Sequence, residues 1–248
     1  MKINYDYTDF VKDPSRITQH LVEIVEKLDN KAKNEFFSNS FIKKFFRDFK
    51  LLKYCKKDYV DFYNFISNYE VPKLNKNVKN NLKTLFNEFE KFYENLIFHN
   101  TALSYYYLKG HELRNPIITP EDEKNYMLRQ LARKKIKSQD FLEKYGHYAL
   151  NPYELSSKRF EEYTKKELMK IANLARDFKM KKNMRIGEYL HKKNKIPILI
   201  TIRELAKYKI LFIIREIRYM LLMIKKDFKI DVFNITYEKL LKELNEKK

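Results

Sequence analysis

Glycine occurs three times in the 248 residues, proline six times, cysteine once and tryptophan not at all. All-β folds need frequent tight turns, and those turns draw on Gly and Pro. The deficit therefore excludes a sandwich or barrel and predicts long helices joined by few loops. Three glycines also leave no GxGxxG and no GxxxxGK[ST], so the chain has no glycine-rich phosphate cradle. The single cysteine, Cys55 in KYCKKDY, excludes an internal disulfide and any CxxC site. Lysine neighbours favour its thiolate, but no histidine is near in sequence, and it reads as a structural thiol. HExxH and GxSxG are absent, and His20, His99, His111, His147 and His191 share no metal-ligand spacing. These absences argue against a free-standing catalyst of a common type. With no disulfide framework and no signal peptide, the expected location is the cytoplasm.

What is present is charge and apolar bulk. Hydrophobic residues make up 44% and aromatics 15%, enough for a sizeable core, and the formal net charge is +19. A field of that size favours nucleic acid, anionic membrane surfaces or phosphorylated ligands. Of the 52 basic residues, however, 41 are Lys and 11 are Arg. Nucleic-acid sites favour Arg for its bidentate contacts, and abundant Lys, Asn, Ile, Tyr and Phe also suit an AT-rich coding composition. A basic helical nucleic-acid-binding protein thus stays as an alternative reading, beside a non-catalytic remnant with only a structural role. The most apolar stretch, 196–224, is broken by Arg203, Glu204, Lys207, Lys209, Arg215, Glu216 and Arg218. Such charges exclude a membrane span and predict a buried helix.

Periodicity predicts helices over most of the chain. A stripe of Ile17, Leu21, Ile24, Val25 and Leu28 marks a helix over 16–30. Aromatics crowd 36–69 at helical spacing; Phe and Tyr interleaved with Lys suit either base stacking or a core, and core is the commoner use. Val71-Pro72 is a break. A long helix follows over 75–108, with Gly110 as its C-cap. Thr119-Pro120-Glu121-Asp122 is a helix start, with a capping Thr, Pro at the first position and acids in the first turn. That helix is expected to run through Tyr126, Leu128, Leu131 and Ile136, and a short one over 138–145 to stop at Gly146. Further helices are expected over 164–190, on a stripe of Leu168, Ile171, Leu174, Ala175 and Phe178, and over 198–226. Residues 191–197 read as a basic loop. An extended piece from Asp231 leads to a last helix capped at Thr236. The expected fold is all-α, a single multi-helix domain with long helices and few loops, divided into an N-terminal subdomain (1–115) and a C-terminal one (116–248).

One stretch departs from this monotony: FLEKYGHYALNPYELSSKRFEEY, residues 141–163. By itself it ends a helix at Tyr145-Gly146-His147, turns at Asn151-Pro152 and offers Ser156-Ser157 as a cap for the next helix. It also gathers His147, Glu154 and Arg159 in one loop, where functional groups concentrate. Phe141, Leu142, Tyr145, Gly146, His147, Glu154, Ser156, Ser157, Arg159 and Phe160 together resemble the central helical domain of the phosphoenolpyruvate-synthase-like phosphotransferases, of rifampin-phosphotransferase and glutamine-kinase type. Arg203-Glu-Leu-Ala-Lys207 resembles a later helix of that domain. The passage from Asp231 to Leu240 resembles the lead into the family's swivelling histidine domain. The resemblance covers roughly residues 135–245.

Two departures accompany it. Many family members continue the His with Arg-Gly-Pro-x-Glu, whereas Tyr148, Ala149, Leu150 and Pro152 stand here, and Tyr153-Glu154 is nearer the glutamine-kinase pattern. The ATP-grasp and swivelling-histidine domains are also absent from the sequence. The resemblance implies an ATP-dependent phosphoryl transfer through a phosphohistidine on another domain or chain. This chain then binds no cofactor itself; ATP and Mg come through ATP-grasp and swivelling-histidine partners, on other chains or on a missing part of the same polypeptide. His147 would orient or deprotonate a small-molecule acceptor, with Tyr148 and Glu154 beside it and Arg159, Arg203 and Lys207 facing phosphate charge. Arg203 and Lys207, four apart, share a helix face.

Overall fold

The computed structural model describes residues 11, 13–36, 58–74, 77–108, 119–178 and 195–246. Among these are eight α-helices, one 3-10 turn (Phe160–Glu162) and no strand. The helices are α1 (Arg16–Phe36), α2 (Asp58–Ser67), α3 (Val78–Leu108), α4 (Pro120–Ala132), α5 (Ser138–Tyr145), α6 (Lys165–Leu174), α7 (Lys195–Phe228) and α8 (Tyr237–Glu246). The all-α expectation holds. No helix among the described residues is long and apolar enough to cross a membrane. The aromatic run at 37–57, Gly110 and 179–194 lie outside the described residues.

The apolar stripe of α1 is buried as expected, with Ile17, Leu21, Ile24, Val25 and Leu28 all at most 8% exposed. It packs on α3, whose Leu82, Leu85, Phe86, Phe89 and Phe92 are also buried. Lys27 pairs with Glu90 and Lys31 with Glu94. The constant offset, one turn apart on both helices, means that α1 and α3 run parallel. These exposed ion pairs record the register and add little stability.

The centre of the molecule is α7, which packs against α2, α3 and α4. Ile202, Ala206, Ile210, Ile213, Ile214, Ile217, Leu221 and Ile224 are buried along it. A helix apolar on so many sides lies inside a protein, which explains the run of isoleucines between its charges. One continuous core joins α7 to Leu82 and Phe89 of α3, Leu128 of α4, Phe141 of α5, Leu168 of α6 and Leu240 of α8. Burial of each such side chain stabilises the fold by roughly 1.5–3 kcal/mol.

Several boundaries differ from expectation. Helix α1 extends to Phe36. Helix α7 begins at Lys195, so Pro197 lies in its first turn, where a missing N–H breaks no helical bond. The Thr119 cap forms as expected, with a reciprocal capping box to Asp122. But α4 ends at Ala132, short of Ile136, because Lys134 takes a left-handed conformation (φ 56°). Lys135 N donates to Gln130 O and Lys134 N to Leu131 O, both at 2.9 Å. This is a Schellman stop with lysine where glycine is usual. Lys134→Gly is therefore expected to raise stability by about 0.5–1 kcal/mol in urea denaturation; an unchanged or lowered midpoint would refute a strain cost at this position.

Helix α6 ends at Leu174, and that residue is 85% exposed rather than on the buried stripe. Its cap is Thr164, in a capping box with Glu167, and not Ser156-Ser157. The piece after Asp231 is a turn rather than an extended segment, with Asn234 N donating to Asp231 O. Thr236 caps α8 as expected, its Oγ1 accepting from Lys239 N.

Candidate functional site

Residues 146–163 form a loop closed at its neck. Phe160 N donates to Tyr148 O (2.7 Å) and Glu161 N to Gly146 O (3.1 Å), around an antiparallel bridge between Ala149 and Arg159. Gly146 is in the ordinary right-handed region (φ −57°), so backbone freedom is not why glycine stands here. Space is the reason: a Cβ would lie 2.5 Å from Leu142 O, 3.1 Å from Glu161 Oε2 and 3.3 Å from Glu161 Cβ. Gly146→Ala must shift the last turn of α5 at the Leu142 carbonyl, and the Glu161 side chain with it, and is expected to cost about 1–3 kcal/mol, the usual penalty of overpacking. Thermal unfolding checks this, and a variant as stable as the parent would show that the turn and the Glu161 side chain yield freely.

Within the loop, Glu154 is an anchor. One carboxylate oxygen accepts from Ser15 Oγ (2.6 Å), Thr18 Oγ1 (2.7 Å), Ser156 Oγ (2.8 Å) and Ser156 N (2.9 Å); the other accepts from Ser15 N (3.1 Å). Burial alone would raise its pKa, but these donors outweigh burial and lower it. The loop is thereby tied to the start of α1. Ser156, read from sequence as a helix cap, serves this carboxylate instead.

Arg159 is fully buried. Its guanidinium donates to Pro152 O (2.7 Å) and Glu154 O (3.3 Å), filling the inside of the loop, while Nε has no partner. Burial, then the nearby Arg218 charge, lowers its pKa to about 10, which leaves it cationic at neutral pH. Arg218 of α7 makes the second tie. It binds both oxygens of Glu162 (Nε 2.7 Å, NH2 2.8 Å), and NH1 donates to Leu155 O (2.6 Å).

His147 sits on the other side of the neck. Its ring stacks on Phe212 (centroids 3.7 Å apart, 17° between planes) and meets the edges of Tyr208 (4.8 Å) and Tyr148 (4.9 Å). It is 2% exposed, and Nε2 is buried with no hydrogen-bond partner. Burial, then the Arg215 charge, then Arg159, depresses its pKa to about 3. The imidazole is neutral at any physiological pH and holds one nitrogen in reserve. Tyr148 is buried as well, with Lys124 Nζ 5.2 Å from its ring centroid. Its hydroxyl pKa is raised by burial first and by Glu121 second. Tyr208 is fixed by a bond from its hydroxyl to Lys144 O (2.9 Å).

Tyr208, Phe212 and Arg215 follow at intervals of four and three, so they share one face of α7. Glu204 precedes them at the same spacing. The Arg203 guanidinium (2.7 Å) and Lys207 Nζ (3.6 Å) both reach its carboxylate. Arg215 lies over Phe212 (5.4 Å) and Tyr219 (5.7 Å), paired with Glu216 and close to Glu161.

Of the residues expected from sequence, then, His147 and Tyr148 meet on the aromatic face of α7. Arg203 and Lys207 gather at Glu204 farther along that helix. Glu154 and Arg159 hold the loop's interior, where Arg159 reaches His147 only through its field. Sequence reasoning did not find Tyr208, Phe212 and Arg215 as site residues. Their i, i+4, i+7 spacing is visible in the sequence, but there Arg215 reads only as one of the charges that forbid a membrane span. Ser15 and Thr18 carry no local signal at all. No group of three or more His, Cys, Asp or Glu side chains suited to a metal converges among the described residues.

The fold and site thus define an all-α protein with a neutral, aromatic-caged histidine beside an arginine. Compared with known proteins, the chain matches no family model, no curated sequence and no solved structure.

Proposed function

We propose that this chain is the acceptor-binding helical part of a phosphoenolpyruvate-synthase-like, ATP-dependent phosphotransferase, and is not catalytic alone. In this reading ATP and Mg act on a partner domain or chain, and a phosphohistidine delivers the phosphoryl group to a small molecule held here. The observation that carries the reading is His147: a neutral imidazole with an unpartnered buried Nε2, next to a guanidinium, inside the motif that bears the family resemblance.

The chemistry follows from the charges. An imidazole whose pKa is about 3 is a weak base in the resting site, since a good general base titrates near the working pH. Its first task is to orient an acceptor hydroxyl or amine by one hydrogen bond. Burial is the main cause of the depressed pKa, and a phosphoryl dianion arriving beside Arg215 would offset the next one, the positive field of that residue at His147. The basicity of His147 would then rise when a proton must leave the acceptor. Arg215 would meet the transferred charge, with Arg203 and Lys207 (30% and 34% exposed) farther along α7. Tyr148 would wall the acceptor pocket, and Glu154 and Arg159 would hold the loop that presents His147.

The test is affinity purification of the tagged chain from its own host, followed by phosphoryl transfer from labelled ATP with whatever co-purifies. An ATP-grasp or phosphohistidine chain at near-equal amount, with transfer reduced about 100-fold by His147→Gln or Arg215→Gln, is the expected result. Recovery of ribosomes or RNA, or binding to random nucleic acid that weakens steeply with salt, would replace this reading with the nucleic-acid one.

A further inference from the structure

A groove lies at both ends of the same motif's sequence, lined from Leu142 on one side and Tyr163 on the other. Helices α4, α5 and α6 enclose this open groove of about 600 Å³. Its floor is Leu131, Ile136, Leu142, Leu168 and Met169. Lys134, Lys137 and Lys165 line it too, each exposed and without a carboxylate partner among the described residues. The acids close by are already engaged: Asp140 accepts from Lys137 N, and Glu167 accepts from Thr164 N and Oγ1. Helices α5 and α6 both begin at this groove, so their dipoles add to the positive potential of the rim.

We propose that this groove binds a single-chain anionic amphiphile, a long-chain carboxylate, with hydrocarbon on the floor and the carboxylate at the lysines. Three observations select this occupant. The aliphatic floor suits a ligand part that makes no hydrogen bonds there. The three lysines supply charge complementarity for one anionic head. The volume falls in the usual range of small-ligand clefts, about 300–1,000 Å³. Leu142 lines the groove while its neighbours Phe141 and Tyr145 are buried in the core. The proposal stands independently of the phosphotransferase reading, because it uses none of the groups around His147.

The experiment is isothermal titration of the full chain with dodecanoate below its micelle concentration, beside dodecyl maltoside and dodecyltrimethylammonium. One dodecanoate per chain is expected, with micromolar affinity, and at least about tenfold weaker binding of the neutral and cationic analogues. The double variant Lys137→Glu/Lys165→Glu changes only exposed side chains and should bind dodecanoate about tenfold more weakly, with an unchanged unfolding midpoint. A photoreactive dodecanoate should label peptides from 131–142 or 163–169. The proposal is overturned by no heat up to about 1 mM, by equal binding of all three amphiphiles, by an unaffected double variant, or by label on other peptides.

Discussion

Arg218→Met is expected to be among the most damaging single substitutions in the C-terminal half. Arg218 is 4% exposed and ties α7 to both the 3-10 turn, through Glu162, and the loop, through Leu155 O. Removing it leaves the Glu162 carboxylate half-buried with only Arg159 N as donor from the loop. Breaking a buried ion pair from one side costs about 3–5 kcal/mol, because the surviving charge stays desolvated. For a chain of this size that lowers Tm by roughly 6–20 °C. Adding Glu162→Gln should recover part of the loss, with a coupling of about 1–3 kcal/mol in the double-mutant cycle. A loss under about 1 kcal/mol for Arg218→Met would mean that water replaces the guanidinium at little cost, and that the loop is not held as described.

Stability should also fall in mild acid between pH 7 and 5, with a part that belongs to His147. Its folded pKa, about 3, lies below the ordinary 6.5. The unfolded chain therefore binds the proton first. The stabilisation is complete above pH 6.5 and is lost as pH falls toward 3, by at most about 1.4 kcal/mol per pH unit. From pH 7 to 5 the loss is about 2 kcal/mol. His147→Phe keeps a ring against Phe212 and removes the proton, so the difference between parent and variant should shrink by that amount over this range. His20, whose pKa burial also lowers, titrates in both proteins and cancels. Glu154 and Glu162 are likewise depressed below 4.5 by donors that outweigh burial, so their contribution is lost only at lower pH. Urea denaturation at pH 7, 6 and 5 supplies the curves. Parallel curves for parent and variant would show that His147 reaches solvent and protonates in the folded state.

The contrast between these two residues shows how far a sequence can be read. His147 stood out because a Tyr-Gly-His turn interrupts long lysine-rich helices. Arg218 looked like one of many charges on a hydrophobic helix. What separates them in the sequence is local chemistry, and what joins them in the fold is a loop of 18 residues folded back on α7. Glu154 makes the same point in reverse. Its place beside His147 suggests contact with a ligand, yet beyond Ser156 its hydrogen bonds run to Ser15 and Thr18, more than 130 positions away.

By itself the sequence determined the all-α class and, for α1 and α3, which faces are buried, because helical periodicity and capping act over three or four residues. The stripes of α1 and α3, the Thr119 box and the Thr236 cap needed nothing beyond their neighbours. No glycine marks where α4 stops, at the left-handed Lys134, and no local pattern shows why Gly146 is glycine, where a Cβ would meet the Leu142 carbonyl at 2.5 Å and, from across the neck, Glu161 at 3.1 Å. Tertiary structure alone decided the state of His147. Its neutrality arises from burial against Phe212 and from the charges of Arg215 and Arg159. Desolvation and Coulomb fields act through space, and the chain's order does not record them until it folds.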